Sequence, residues 1–438
     1  MREELLKAAQ DAVEISKGAG AQDVWAWASR SRSVDYSYRD GSLETVQEST
    51  SRGLSVQLYV DGRFSSQSTT DLRPDRLKAF ISEAVAMTRA LEVDPFRKIP
   101  DPALFAGRAA DTLDLVDTNV STIQHDRRLE IVKALDAATH GHQKVISATS
   151  GVSHSHDVSA GASSNGFTGT QEATSFWFGA EVTVQDAGDK RPEGSHWVGG
   201  RHIGGLPEVS AVGKEALERT IKRMGSAKGP TQKATMIVEN QAAGRILGML
   251  MSTANARAIQ QGRSFYQGKL GTELVSKKLT VTDNPLLPRG LASRLYDGEG
   301  IAAKAMPVIE AGVVKNLYVD TYYGRKTEMA PTTGGASNRV VTPGQGDLAA
   351  LMKAINNGVL VTEWLGGNAD GTSGDFSLGV AGFEVKNGQL GAPIGEMNIT
   401  GNLVTLFKGL TALGGDVYPY GGILTPSLVF EGVQFSGA

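Results

Sequence analysis

Imidazole and thiolate are the side chains best suited to gripping a transition metal, and this chain of 438 residues distributes them unevenly. It has no cysteine, and its seven histidines are His125, His140, His142, His154, His156, His196 and His202. Beyond residue 202, a zinc site would have to be built from oxygen alone, which zinc rarely accepts. The best earlier candidate is His154-Ser155-His156-Asp157, because residues two apart on a strand face the same side and both rings could meet one ion. His140-Gly141-His142 is a weaker case of the same spacing. The simpler expectation for both is exposed polar residues on strand edges and at a helix end, since neither pair brings a third ligand.

Other chemical signatures fail on spacing. No Gly-x-Ser-x-Gly elbow is present for a hydrolase serine. Gly262 to Lys269 imitates a phosphate loop, but it is one residue too long, and Leu270 stands where a Ser or Thr is needed, so an ordinary loop is expected. Asp297 and Glu299 flank Gly298, and Asp375 follows Gly374. Paired carboxylates can do acid/base work, but beside glycines they more often close turns.

The elements that would position these groups can be read from periodicity. Leu5, Leu6, Ala9, Val13 and Ile15 form one face of a helix over Arg2–Lys17, stopped by Gly18 and Gly20. Alternation through Trp25–Tyr38 and Leu54–Val60 predicts strands, with Asp40-Gly41 and Asp61-Gly62 as turns. Pro74–Leu91 reads as a helix with proline in its first turn, Ile123–His140 and Val212–Met224 as two more, and 144–185 as successive strands. Gly225 to Pro230 is the best linker. An apolar strand, Ala234–Val238, then leads into a helix running to about Ile259, followed mostly by strands and tight turns. The expectation is an α+β protein: N-terminal α/β units followed by a large strand-rich, mainly antiparallel C-terminal domain, divided as 1–105, 106–226 and 231–438.

Composition narrows the partners. A formal charge of −3, with no basic run beyond two or three residues, disfavours a nucleic-acid surface. No apolar stretch of about 20 residues is present to span a membrane. The charged start, Met1-Arg2-Glu3-Glu4, lacks the apolar core of a signal peptide, and the absence of cysteine fits a reducing cytoplasm.

Several ordered segments resemble the TldD/PmbA family, also called modulators of DNA gyrase. They are Asp40-Gly41-Ser42-Leu43-Glu44, Gly53–Val56 and Asp61-Gly62-Arg63 near the start. Further on come Thr280–Pro285, Tyr296-Asp297-Gly298-Glu299-Gly300, Glu310–Lys315, Tyr323–Lys326, Thr333-Gly334-Gly335 and Gly371–Ser377, with Phe435-Ser436-Gly437 at the end. The resemblance implies a cytoplasmic protein in which a TldD-type subunit pairs with a PmbA (TldE)-type subunit to form a zinc-dependent peptidase for small, unfolded or modified peptides. It also implies that the zinc subunit carries H-E-x-x-x-H on a helix after an apolar strand, plus a later cysteine.

In this chain the strand Met236-Ile237-Val238 leads through Glu239 into Asn240-Gln241-Ala242-Ala243-Gly244-Arg245. The resemblance sets Asn240 and Arg245 where the histidines would be and Gln241 where the glutamate would be. An amide oxygen is a poor zinc donor. Glutamine has no carboxylate to take a proton from bound water, and arginine keeps its positive charge. Ligands five apart on a regular helix diverge by about 140°, so the active form needs a widened or broken turn, a shape Gly244 is expected to keep here. No neighbouring histidine in sequence restores a ligand. The expectation is a PmbA/TldE-type subunit that binds no zinc itself and is inactive alone. It would work with a TldD-type partner in a heterodimer, or as a homodimer, holding peptides and touching neither nucleic acid nor membrane. The rival readings are a stand-alone homodimeric peptide-binding protein and a metalloenzyme using His154, His156 and Asp157.

Overall fold

The computed structural model describes residues 1–110 and 112–437. Helix α1 (Arg2–Gly18) presents Leu5, Ala9 and Val13 to a core, and α2 (Pro74–Thr88) adds Leu77, Ile81 and Val85. Both pack on a sheet begun by β1 (Asp23–Arg39), β2 (Ser42–Val60) and β3 (Arg63–Thr69). The stretch expected to hold strands through Tyr38 is thus one 17-residue strand. Its turn into β2 holds Asp40 and Gly41 at φ 46° and 84°, and Asp61-Gly62 closes the β2–β3 hairpin at φ 50° and 73°, positions that favour Asn, Asp and Gly.

After a short helix, α3 (Thr118–Thr122), α4 (His125–Thr139) leads into β4 (Val145–Ser163), β5 (Thr168–Val184), β6 (Glu193–Gly200) and α5 (Val209–Lys222). The strands run β3-β2-β1-β4-β5-β6, all antiparallel. The first two sequence units therefore share one six-stranded sheet, joined where β1 pairs with β4 over Trp25↔Ser163 to Arg39↔Thr149. All four longer helices lie on the same face: α4 packs Val132 and Leu135 against Tyr36, Val152 and Phe176, and α5 packs Ala216 and Leu217 against Ala180 and Val182.

The C-terminal region starts with β7 (Gln232–Val238) and α6 (Asn240–Met251). The helix expected to reach Ile259 stops at Met251 and resumes as α7 (Ala256–Gln260), because the Asn255 side chain caps the new start by accepting from Ala258 N at 2.8 Å. A smaller sheet uses β8 (Val281–Asp283), β9 (Met306–Glu310), β10 (Val313–Val314), β11 (Arg339–Val341) and β16 (Ile423–Leu424), in the order β10-β9-β8-β11-β16. The larger sheet uses β7, β12 (Gly358–Ala369), β13 (Asp375–Lys386), β14 (Gln389–Asn402), β15 (Leu410–Leu413) and β17 (Leu428–Ser436), ordered β14-β13-β12-β7-β17-β15. Among the described residues the only parallel strand pairings are β7–β12 and β11–β16, so the α+β, strand-rich and mainly antiparallel expectation agrees with the structure. Helices α8 (Thr321–Thr327), α9 (Leu348–Ile355) and α10 (Leu403–Lys408) complete the region. Among the described residues no helix is long and apolar enough to cross a membrane.

The turn carboxylates behave as turn closers. Asp297 accepts from the N–H groups of Glu299, Ile301 and Gly334. Glu299 accepts from Thr321 at the start of α8, and burial raises its pKa. Asp375 accepts from the Asn402 amide. The segment imitating a phosphate loop is a pair of turns at Gly262 and Gly268.

Candidate functional site

The two places singled out by residue type resolve differently. His154 is not an exposed edge residue: β4 is central, and the ring is buried against α4. Arg128 Nε donates to His154 Nε2 at 2.9 Å, which fixes the ring as a neutral acceptor. Burial first, then the Arg128 charge, pushes its pKa down to about 4. His156 pairs with Glu172 at 2.7 Å. Asp157 turns to the opposite face and accepts from Ser31 and Ser155. His140 bonds its own helix at Asp136 O, and His142 accepts from Lys144 N. These groups do not converge, and among the described residues no three His, Cys, Asp or Glu side chains form a metal-sized cluster.

The second place is the start of α6. Its apolar face fixes it: Ala243, Ile246, Leu247 and Leu250 are fully buried, each large one contributing about 1.5–3 kcal/mol by leaving water. Trp364 Nε1 donates to Ala242 O from β12 at 2.8 Å. The helix is continuous through Gly244, so the expected widened turn is absent. Asn240 and Arg245 consequently diverge. Asn240 donates from its side chain to Asp416 O at 2.6 Å and from its main chain to Ser427 Oγ at 3.1 Å. Ser427 in turn donates to the Asp416 carboxylate. Arg245 is exposed and donates to Gly367 O at 3.1 Å. An amide, a second amide and a guanidinium, two of them already engaged, are not a donor set that fits zinc.

What sequence reasoning missed comes from the other half of the molecule. Glu239, which precedes α6, takes both guanidinium nitrogens of Arg219 on α5 at 2.6 and 2.9 Å. The fork geometry and partial burial make this a strong pair. His196 of β6 lies beside Gln241; burial lowers its pKa, and its Nδ1 is enclosed with no hydrogen-bond partner among the described residues. So an imidazole does reach the motif, but from 45 positions earlier, across the domain boundary. Only the isolated acid at Glu239, directly after an apolar strand, hinted that something charged must face it.

These residues border a cleft between the first sheet and the C-terminal region. One cavity of 340 Å³ is walled by Ser195, Arg219, Glu239 and Gln241 on the polar side, and by Leu348, Met352, Leu360, Phe383 and Leu390 on the other. A second, of 440 Å³, adjoins it past Arg223 and Glu363, which form an ion pair between the residue after α5 and β12.

The architecture is thus a strand-rich body in which a helix set after an apolar strand faces a cleft between the first sheet and the C-terminal region. The chain belongs to the PmbA/TldD family. Residues 28–88, 119–224 and 231–437 match, in turn, domain 1, the central domain and the C-terminal domain of PmbA/TldA metallopeptidases. It is 27% identical to the metalloprotease PmbA of Escherichia coli O157:H7, covering 100% of this chain and 97% of that protein. A crystal structure from Bacteroides thetaiotaomicron, of a protein described as a modulator of DNA gyrase, is 34% identical, with a TM-score of 0.95 over 99% of this chain and 98% of that one. TldE of Thermococcus kodakarensis shares the fold at 18% identity, with a TM-score of 0.87 over 98% and 100% of the two chains.

Proposed function

We propose that this chain is the non-catalytic, PmbA/TldE-type subunit of a zinc metallopeptidase complex, and that it helps a TldD-type subunit hold small or unfolded peptides. One observation carries the reading: the three motif positions hold Asn240, Gln241 and Arg245, and Asn240 and Arg245 are tied to main-chain carbonyls. Hydrolysis by a metal-bound hydroxide needs an open metal position and a base to take the water's proton, and these side chains offer neither. The PmbA relatives and the TldE-like fold support the assignment of subunit type. A cytoplasmic location is part of the same proposal, as the family resemblance implies.

Mixing the purified chain with a TldD-type subunit from the same genome and an unfolded peptide tests the proposal. The chain should form a defined heterodimer by native mass measurement, and cleavage should require the partner and vanish with chelator. Cleavage by this chain alone, after chelation and return of zinc, would overturn it. A stable homodimer with no affinity for the zinc subunit would instead favour a stand-alone peptide-binding protein.

A further inference from the structure

The outer edge of β6 ends the first sheet and borders the 340 Å³ cleft. Val184 N donates to Pro192 O, so the even-numbered residues here turn toward β5, and the odd-numbered ones, Glu193, Ser195, Trp197 and Gly199, turn outward. Two of the outward carbonyls are occupied. Glu193 O accepts from Arg223, and Trp197 O accepts from Tyr418 Oη at 3.2 Å. Between them, the N–H and C=O of Ser195 have no hydrogen-bond partner among the described residues. Gly194 and Ser195 both line the cleft, and Gly194 lets α5 approach closely, since a side chain there would run into Thr220.

We infer that Ser195 is the main-chain docking point for an extended peptide, which adds to β6 as a short further strand and places an apolar side chain against Leu348, Met352, Leu360, Phe383 and Leu390. An N–H and C=O on one residue of a strand edge is the pattern that another extended main chain satisfies at both atoms. The cleft wall is charge-balanced: Glu215, Glu239 and Glu363 face Arg219, Lys222 and Arg223. It therefore offers no net attraction to a charged ligand, whereas Leu390, 43% exposed, offers a dry contact to an apolar one. The two capped carbonyls on either side limit the pairing to a short stretch, so recognition is by main chain and one pocket. This assignment rests on the peptide-holding role proposed above and gives it an address on this subunit.

The test uses the full chain alone and a fluorescent, N-acetylated, C-amidated hexapeptide of alternating Ala and Leu, read by anisotropy. Ser195→Pro removes the outward donor at a sheet edge, where proline is tolerated, and should weaken binding at least tenfold. Ser195→Ala, which keeps the main chain, should bind as the parent does. Leu390→Asp should weaken binding several-fold, and N-methylating the peptide amides should abolish it. Parental affinity in Ser195→Pro with unchanged melting, or equal loss in Ser195→Ala, would overturn the assignment. The subunit proposal is read separately, by complex formation and cleavage with the zinc subunit: a chain that binds the peptide through Ser195 but ignores that subunit sinks the role and keeps the site.

Discussion

The His154 region and the start of α6 make opposite use of their residues. Around His154 the chain supplies imidazoles and carboxylates in quantity, yet each ring is spent on a local partner: Arg128 for His154, Glu172 for His156, its own helix for His140. Around α6 there is no imidazole within the helix, but an open cleft, an ion pair spanning two domains and an enclosed His196 gather at its first turn. Ligand-type residues do not make a site when the sheet closes over them. At α6 the cleft, and not the helix's own side chains, is what marks the place as a candidate site.

Breaking the charged joint at α6 should have the largest effect. Arg219→Ala leaves the Glu239 carboxylate mostly enclosed and unpaired, at a cost of about 3–5 kcal/mol; urea unfolding measures it. Replacing both partners by Met and Leu should cost far less, and an equal loss would mean that packing, not charge, matters there. On the other side of the comparison, Arg128→Met removes the donors to His154 Nε2 and Ile123 O, with an expected loss of about 2–3 kcal/mol.

Acid should sharpen the contrast. Burial and Arg128 hold the native pKa of His154 near 4, against 6.5 for the free side chain. The unfolded chain therefore binds the extra proton first, so the contribution is intact above pH 6.5 and is lost as pH falls toward 4. Melting curves across that window should show the decline, and His154→Gln, which still accepts from Arg128, should flatten it. A slope unchanged in that variant would place the titrating group elsewhere.

The motif positions should be the least sensitive. Asn240→Ala removes one half-buried hydrogen bond to Asp416 O, worth about 1 kcal/mol. Arg245→Ala, an exposed side chain with a single contact, should change stability by less than about 0.5 kcal/mol. Losses several times larger at Arg245 would show that it is a structural anchor and not a relic of a metal site.

Much of the local fold was legible because it is local. The α1 stripe, proline at the start of α2 and the Asp-Gly turns each carry their own geometry, and all three appear where the spacing placed them. The break after Met251 was missed because the Ala-, Leu- and Met-rich pattern was carried through Ser252-Thr253-Ala254, although Asn255 was the available cue. The burial of His154 was missed because alternation says which residues share a face, not whether a strand is central. Arg219 with Glu239, and His196 beside Gln241, bring distant segments together, and no periodicity reports such a meeting. Sequence resemblance pointed to the helix of the candidate site; the cleft and its opposite wall needed coordinates.

The β1–β4 seam has a consequence for how the protein can be cut. Producing the first and second sequence units as separate fragments would split the middle of a sheet, baring the Trp25–Arg39 and Thr149–Ser163 edges at once. Each fragment would then offer a long, unprotected strand to any other chain. Segments that count as separate modules in evolution therefore behave in this molecule as one mechanical plate, and an isolated middle fragment is expected to clump rather than fold.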